Sequence, residues 1–546
     1  MKWRAHLVLA GAVLGLFMPA AASPQAKPAP APSPAAQQAI DEAGDLAQKG
    51  EFIKAEPLAR KAVALAPNSA VAHNLLGLIE EQLKRPAEAE AAYRRALRLN
   101  PGFSAARGNL GNLLLQEGKL EPARKELLQT LKADPKNARA HFNLALLLVR
   151  AKEYAAAAEH FAAVRQLRGD DPSLILMYIG AAFKAEQTQP ALQAADELAR
   201  SNAQDPRVLF NLALVLAQEE QYEKASELFS RVNELRPQTP EVLYNLGIAY
   251  HNLKRLDDAA GALAEAADIK PDLSEAHFRL GLIASERLDH DNAILEFQHA
   301  VKFSPERAQY HYLLGREQFA VGRWELAARS YSKAAELDSK QPLYSLSLGN
   351  ALYRAENYVG AAAAFETVAQ LDPQTEDIQY LIGYCYRVQG SLDRALVHLR
   401  QQLDSNPQHA QALASVGFIL LEQGDLAGAQ AQLEKLVSLA PDDMDGWFDL
   451  ARTYNRQKQS EKAIQAFLRV LSLSPDNIQA HYQLFLLYTR NKQPDQAKVQ
   501  LAQFQRLEEM EKIARREETA ISKARRAQAE EQQTGTSAVP PSGENR

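Results

Sequence analysis

Ten prolines, Pro67, Pro101, Pro135, Pro237, Pro271, Pro305, Pro373, Pro407, Pro441 and Pro475, share one register in which every gap is a multiple of 34 residues. The register passes through Gly169, Ala203, Ser339 and Glu509 without net insertion or deletion, dividing residues 36–511 into fourteen repeats. Alanine holds the twentieth place of all fourteen, from Ala55 through Ala259 and Ala327 to Ala497. If about one residue in six is alanine, chance would produce that column with a probability on the order of 10⁻¹¹. A period this strict excludes a single globular core. Each repeat is too small to bury its apolar face alone and has to stack on its neighbours.

The interior of a repeat reads as two helices. Position 8 is small, with Gly77, Gly111, Gly247, Gly281, Gly315, Gly349, Gly383 and Gly417 joined by Ala43, Ala145, Ala213 and Ala451. Position 24 is often aromatic, as in Tyr93, Phe161, Phe229, Phe297, Tyr331, Phe365 and Phe467. Small residues at positions 8 and 20 let two helices approach closely, and the large residues fill the space between pairs. From Glu241 to Tyr250 the apolar places recur at three- and four-residue spacing, as an amphipathic helix requires. Glycine at position 15 (Gly50, Gly118, Gly322, Gly390, Gly424) marks the turn, and proline at position 32 ends the second helix.

This pattern resembles the tetratricopeptide repeat, whose consensus has Trp at position 4, Leu-Gly at 7 and 8, Tyr at 11, Ala at 20, an aromatic at 24, Ala at 27 and Pro at 32. Residues 172–205 and 478–511 depart most, with Ile179 and Phe485 at position 8. The resemblance implies an all-α fold, an α-solenoid in which helix-turn-helix repeats stack into a right-handed superhelix and first helices line a concave groove.

The ends read differently. Lys2 and Arg4, the apolar run Leu7 to Met18 and the small residues Ala20 to Ala22 read as a cleaved secretory signal over residues 1–22. The run is shorter than the roughly 20 residues that span a bilayer, so no integral membrane span is expected. Residues 23–35 are a Pro/Ala-rich spacer, 512–533 a charged cap helix continuing the last repeat, and 534–546 a polar, disordered tail. With 62 basic and 67 acidic side chains the net charge is −5, which points away from nucleic acid. Cys385 is the one cysteine, so no intrachain disulfide can form, and its place at position 10 reads as an inert core thiol.

Outside the repeats too few residues remain for a catalytic domain, and no GxGxxG, Walker, G-x-S-x-G or H-E-x-x-H pattern occurs. We therefore expect no enzyme, no cofactor and no metal site. His73, His141, His277, His311 and His481 all fall at position 4, where the resemblance places a packing Trp. For recognition, the candidates are Asn109, Asn143, Asn211 and Asn245 at position 6, where groove-binding members carry an asparagine ladder, since an amide can donate to and accept from an extended backbone. Arg139 and Arg207 at position 2 and Arg279 at position 6 add anion-attracting points. Position 5 is mainly aromatic or aliphatic, so the lysine-dependent carboxylate clamp of chaperone-binding members is not expected. The reading is an exported, periplasmic or secreted, non-enzymatic scaffold or adaptor that binds protein or peptide segments. The alternative is a structural subunit of a cell-envelope assembly, such as a polysaccharide-export or outer-membrane complex.

Overall fold

The computed structural model describes residues 32–169 and 171–535, so the signal, most of the spacer and the tail beyond 535 lie outside the described residues. The described chain forms twenty-eight α-helices in tandem and no strand. Second helices begin at Phe52, Pro86, Leu120, Tyr154, Thr188, Tyr222, Leu256, His290, Trp324, Tyr358, Leu392, Leu426, Ser460 and Pro494, each 34 residues after the last. The first helix of all, Pro34–Gln48, starts two residues before the expected boundary, because Ser33 caps it by accepting from the Ala36 N–H. The last helix, Pro494–Gly535, runs without a break through the segment expected to cap the array, and its residues 509–519 are exposed.

The helices group into two compact units, Met1–Ile283 and Ala284–Arg546. Within each, second helices pack between the first helix of their own repeat and that of the next, as Pro86–Leu99 does between Ala70–Gln82 and Ser104–Gln116, and successive first helices also touch, as Ser104–Gln116 does with Ala138–Arg150 and Ile378–Val388 with Ala410–Gln423.

The small columns sit where backbones come closest. Ala259 and Ala327 are fully buried. A Cβ on Gly247 would lie 2.5 Å from Leu263 Cγ and 3.2 Å from the Ala259 carbonyl oxygen, and one on Gly349 would lie 2.5 Å from the Phe365 ring. Glycine at position 8 therefore makes room for the large side chain at position 24. At position 15 the need is conformational. Gly50 and Gly118 have φ of 77° and 75°, and the non-glycine residues Lys84, Lys152, Glu220, Lys254 and Leu288 adopt the same left-handed backbone, with φ between 60° and 63°.

Position 4 has a specific physical role. Trp447 Nε1 donates to the Pro441 carbonyl six residues earlier at 2.9 Å, and His73, His141, His311 and His481 make the same bond through Nε2, at 2.9 to 3.0 Å, to Pro67, Pro135, Pro305 and Pro475. A histidine Nε2–H thus replaces the indole N–H and fastens the loop to the helix that follows it. In His141 that choice leaves Nδ1 free to accept from His160 Nδ1 at 2.8 Å.

Candidate binding face of the first helices

Helical geometry decides which first-helix positions can meet a partner. In Ala138–Arg150 the buried residues are Ala140, Asn143, Leu144, Ala145, Leu147 and Leu148, at positions 3, 6, 7, 8, 10 and 11. The stripe left open runs through positions 2, 5, 9 and 12: Arg139 is exposed and Phe142, Leu146 and Val149 are half-buried. Two repeats further on, Arg207, Phe210 and Leu214 repeat the arrangement. Phe142 and Phe210 are propped edge-on by the position 24 rings Phe161 and Phe229, with centroids 6.1 and 5.7 Å apart. The open face is therefore an apolar strip with arginines along one side.

Position 6 lies about 100° around the helix from position 5, towards the seam between first helices. This changes the asparagine ladder. Asn109, Asn143 and Asn245 are buried, at 6 %, 5 % and 9 % exposure, and only Asn211 is exposed. Asn109 Nδ2 donates to Asn74 Oδ1 at 3.0 Å, tying one first helix to the preceding one, and Asn245 Nδ2 donates back to the Glu241 carbonyl at 2.7 Å. Asn143 Nδ2 is buried without a partner. The four amides do not stand as a solvent-facing row, because the neighbouring repeat encloses three of them. Arg279, also at position 6, is half-buried.

A polar group absent from the sequence-based candidates sits between repeats 2 and 3. Tyr93 Oη donates to Glu81 at 2.7 Å and Asn112 Nδ2 donates to its other oxygen at 3.2 Å. Burial raises the Glu81 carboxyl above its usual value, against the lowering pull of the Tyr93 hydrogen bond and of Arg139. Arg139 is thus brought to this group, while Arg207 and Arg279 are not.

The second unit holds a buried carboxylate, Glu317, at position 10, where most repeats carry an apolar residue such as Ile79, Leu147 or Ile419. Its oxygens accept from Ser285 Oγ, His290 Nδ1 and Arg316 at 2.7 to 2.9 Å. Burial works to raise this carboxyl, but the three donors together outweigh it and hold it below its usual value. The group ties Ser285 and the helix His290–Phe303 to the helix Ala308–Ala320. A glutamate in a column otherwise mostly apolar was its signal in the sequence. Cys385 is fully buried, and burial pushes its thiol up to about 12, so it is inert at neutral pH.

Sequence models of the tetratricopeptide repeat match residues 40–102, 312–376 and 417–478, and a second set matches 78–147 and 352–416. A model of subunit 3 of the anaphase-promoting complex, cyclosome, matches residues 184–266. The chain belongs to the tetratricopeptide repeat family, whose members are protein-binding scaffolds. No curated protein matches it. Among solved structures, PilF of Pseudomonas aeruginosa is 25 % identical over 40 % of this chain and 97 % of its own, with a TM-score of 0.33. YrrB, a tetratricopeptide protein described as having an unusual peptide-binding site, is 26 % identical over 34 % of this chain and 96 % of its own, with a TM-score of 0.29. MamA from Desulfovibrio magneticus RS-1 is 23 % identical over 31 % and 97 %, with a TM-score of 0.29. No helix among the described residues is long and apolar enough to cross a membrane.

Proposed function

We propose that the protein is an exported, non-enzymatic scaffold that holds protein segments on the open face of its first helices, in the periplasm or outside the cell. The observation that carries this is the strip Phe142, Leu146, Phe210 and Leu214 flanked by Arg139 and Arg207: half-buried apolar anchors on a rigid repeat, with cations at the edge. In this reading Asn211 supplies an accessible amide, while Asn109, Asn143 and Asn245 shape the seam behind the strip. Export is supported by the basic start, the apolar run and the small residues before Ser23.

The test is affinity capture from an envelope extract with mass spectrometry, comparing the unaltered chain with Phe142→Asp combined with Phe210→Asp. Both side chains are half-buried, so the fold is first checked by circular dichroism. Loss of the captured protein by a folded double variant supports the reading, and undiminished capture refutes it. Mature protein beginning at Ser23 supports export; an intact Met1 on cytosolic protein refutes it.

A further inference from the structure

In the second unit the open face changes character and becomes a row of aromatic rings. Tyr353 at the end of Pro342–Arg354 meets Tyr384 in Ile378–Val388 at 5.6 Å between centroids, and Tyr380 lies 6.0 Å from Tyr384 on the same helix. One turn beyond Tyr384 stands Arg387. Its guanidinium carbon is 4.9 Å from the Tyr384 centroid and 5.7 Å from that of Phe418, which comes from the next first helix, Ala410–Gln423.

This arginine is uncompensated. Its Nε is buried with no hydrogen-bond partner, and no carboxylate among the described residues pairs with it. Two repeats on, Arg452 shows the ordinary arrangement, with Glu422 at 2.7 Å and Asp449 at 2.9 Å. The carboxylate at the start of Arg387's own helix, Asp377, is already taken by Gln402 Nε2 at 3.1 Å and His409 Nε2 at 3.0 Å. Asp377 also sits in the left-handed region, at φ 56°, and delays the helix start by two residues from the repeat frame. A cation stacked on rings is stabilised by their faces but keeps an unmet demand for an anion in the plane of its fork. With Nε sealed, that demand is left to the two Nη atoms.

We propose that Arg387 is a binding site for a side-chain carboxylate, taken end-on by its Nη pair, from an acidic protein segment laid across the first helices of repeats 10 to 12. The inference rests on the scaffold reading above and names the chemistry recognised at this stretch. A segment passing through is favoured over a chain end because the aromatic row continues across three consecutive first helices. An acidic peptide is favoured over a polynucleotide because the chain carries a net charge of −5 and the site has one free cation between apolar walls.

The test uses the full chain and a fluorescein-labelled hexaglutamate with an amidated C-terminus, followed by fluorescence anisotropy. Arg387→Met should weaken binding at least tenfold. Arg387→Lys, which keeps the charge but not the planar fork, should fall between the two. Phe418→Leu, which removes one wall while keeping apolar volume, should weaken binding severalfold with an unchanged circular dichroism spectrum; it decides the matter if Arg387→Met does not fold. The proposal is overturned by undiminished binding in the folded variants, by full recovery in Arg387→Lys, by hexaglutamine with a free C-terminus binding as tightly, or by tighter binding of hexathymidylate. A partner captured equally by Arg387→Met and the unaltered chain would leave the scaffold reading intact and remove only this site.

Discussion

Leu288 offers a direct measure of what the turn demands of the chain. It occupies position 15 with φ 60°, and its side chain is 75 % exposed, so it contributes little packing while holding a backbone conformation hostile to a Cβ. Left-handed backbone costs a non-glycine residue roughly 1–2 kcal/mol. Replacing Leu288 with glycine removes that strain but adds about 0.5–1 kcal/mol of chain entropy to be lost on folding. The difference predicts a net stabilisation of about 0.5–1 kcal/mol for Leu288→Gly. Gly118→Ala is the reverse experiment: at φ 75° nothing lies within 4 Å of an added Cβ, so a destabilisation of about 1 kcal/mol would come from the backbone alone. Because repeat arrays do not unfold in one step, the assay is native-state hydrogen exchange, read in residues 278–303 for the first variant and 108–133 for the second. Protection should rise in the first and fall in the second. Falling protection in Leu288→Gly would refute the argument, since it would show that the exposed leucine contributes more than its backbone strain removes.

Overpacking should be local: Ala259→Leu or Ala327→Leu forces side chains into a fully buried close approach at a cost of about 1–3 kcal/mol, seen as faster exchange in that repeat and its neighbours. The position 4 bond predicts that His481→Trp keeps the donor to Pro475, while His481→Phe loses about 0.5–1.5 kcal/mol, measured by the same exchange. The two carboxylates should respond to pH with opposite signs. Glu317, held below its usual value, contributes stability that is present above its unfolded pKa and lost as pH falls through the folded one. Glu81, raised by burial, favours the folded state while protonated, and that contribution is lost as pH rises through its folded pKa. Glu317→Gln should therefore reduce protection near Ser285 and His290 at neutral pH, whereas Glu81→Gln should leave or raise protection near Tyr93. The same sign for both would contradict these assignments.

The spacing of the helices was legible because proline recurs at position 32, just past the end of the second helix where no N–H is needed, and because a Cβ at Gly247 or a larger side chain at Ala259 has nowhere to go. The turn was only half legible. Glycine announced it at Gly50 and Gly118, but Lys84, Glu220 and Leu288 bend the same way, since stacking imposes the conformation and the residue bears the strain. The histidines at position 4 were placed as packing residues. Their bond to a loop carbonyl depends on a main-chain atom six residues upstream, which a side-chain pattern does not show.

The proposed recognition face was less legible, and the reason is angular. Asn109 and Phe142 occupy adjacent positions of their repeats, yet one residue is 100° of rotation, enough to move a side chain from the open stripe into the seam. A column of polar residues therefore does not identify a groove. What identifies it is the pattern of burial at positions 2, 5, 9 and 12, which depends on how far the second helix reaches around the first. The same limit hid the Arg387 group. Tyr353, Tyr384, Arg387 and Phe418 hold positions 12, 9, 12 and 9 of three successive repeats, so no motif joins them in the chain. Only stacking brings a position 12 side chain of one repeat beside a position 9 ring of the next. In a repeat protein, chemistry of this kind is written between repeats, along a diagonal that an alignment of repeats over one another separates.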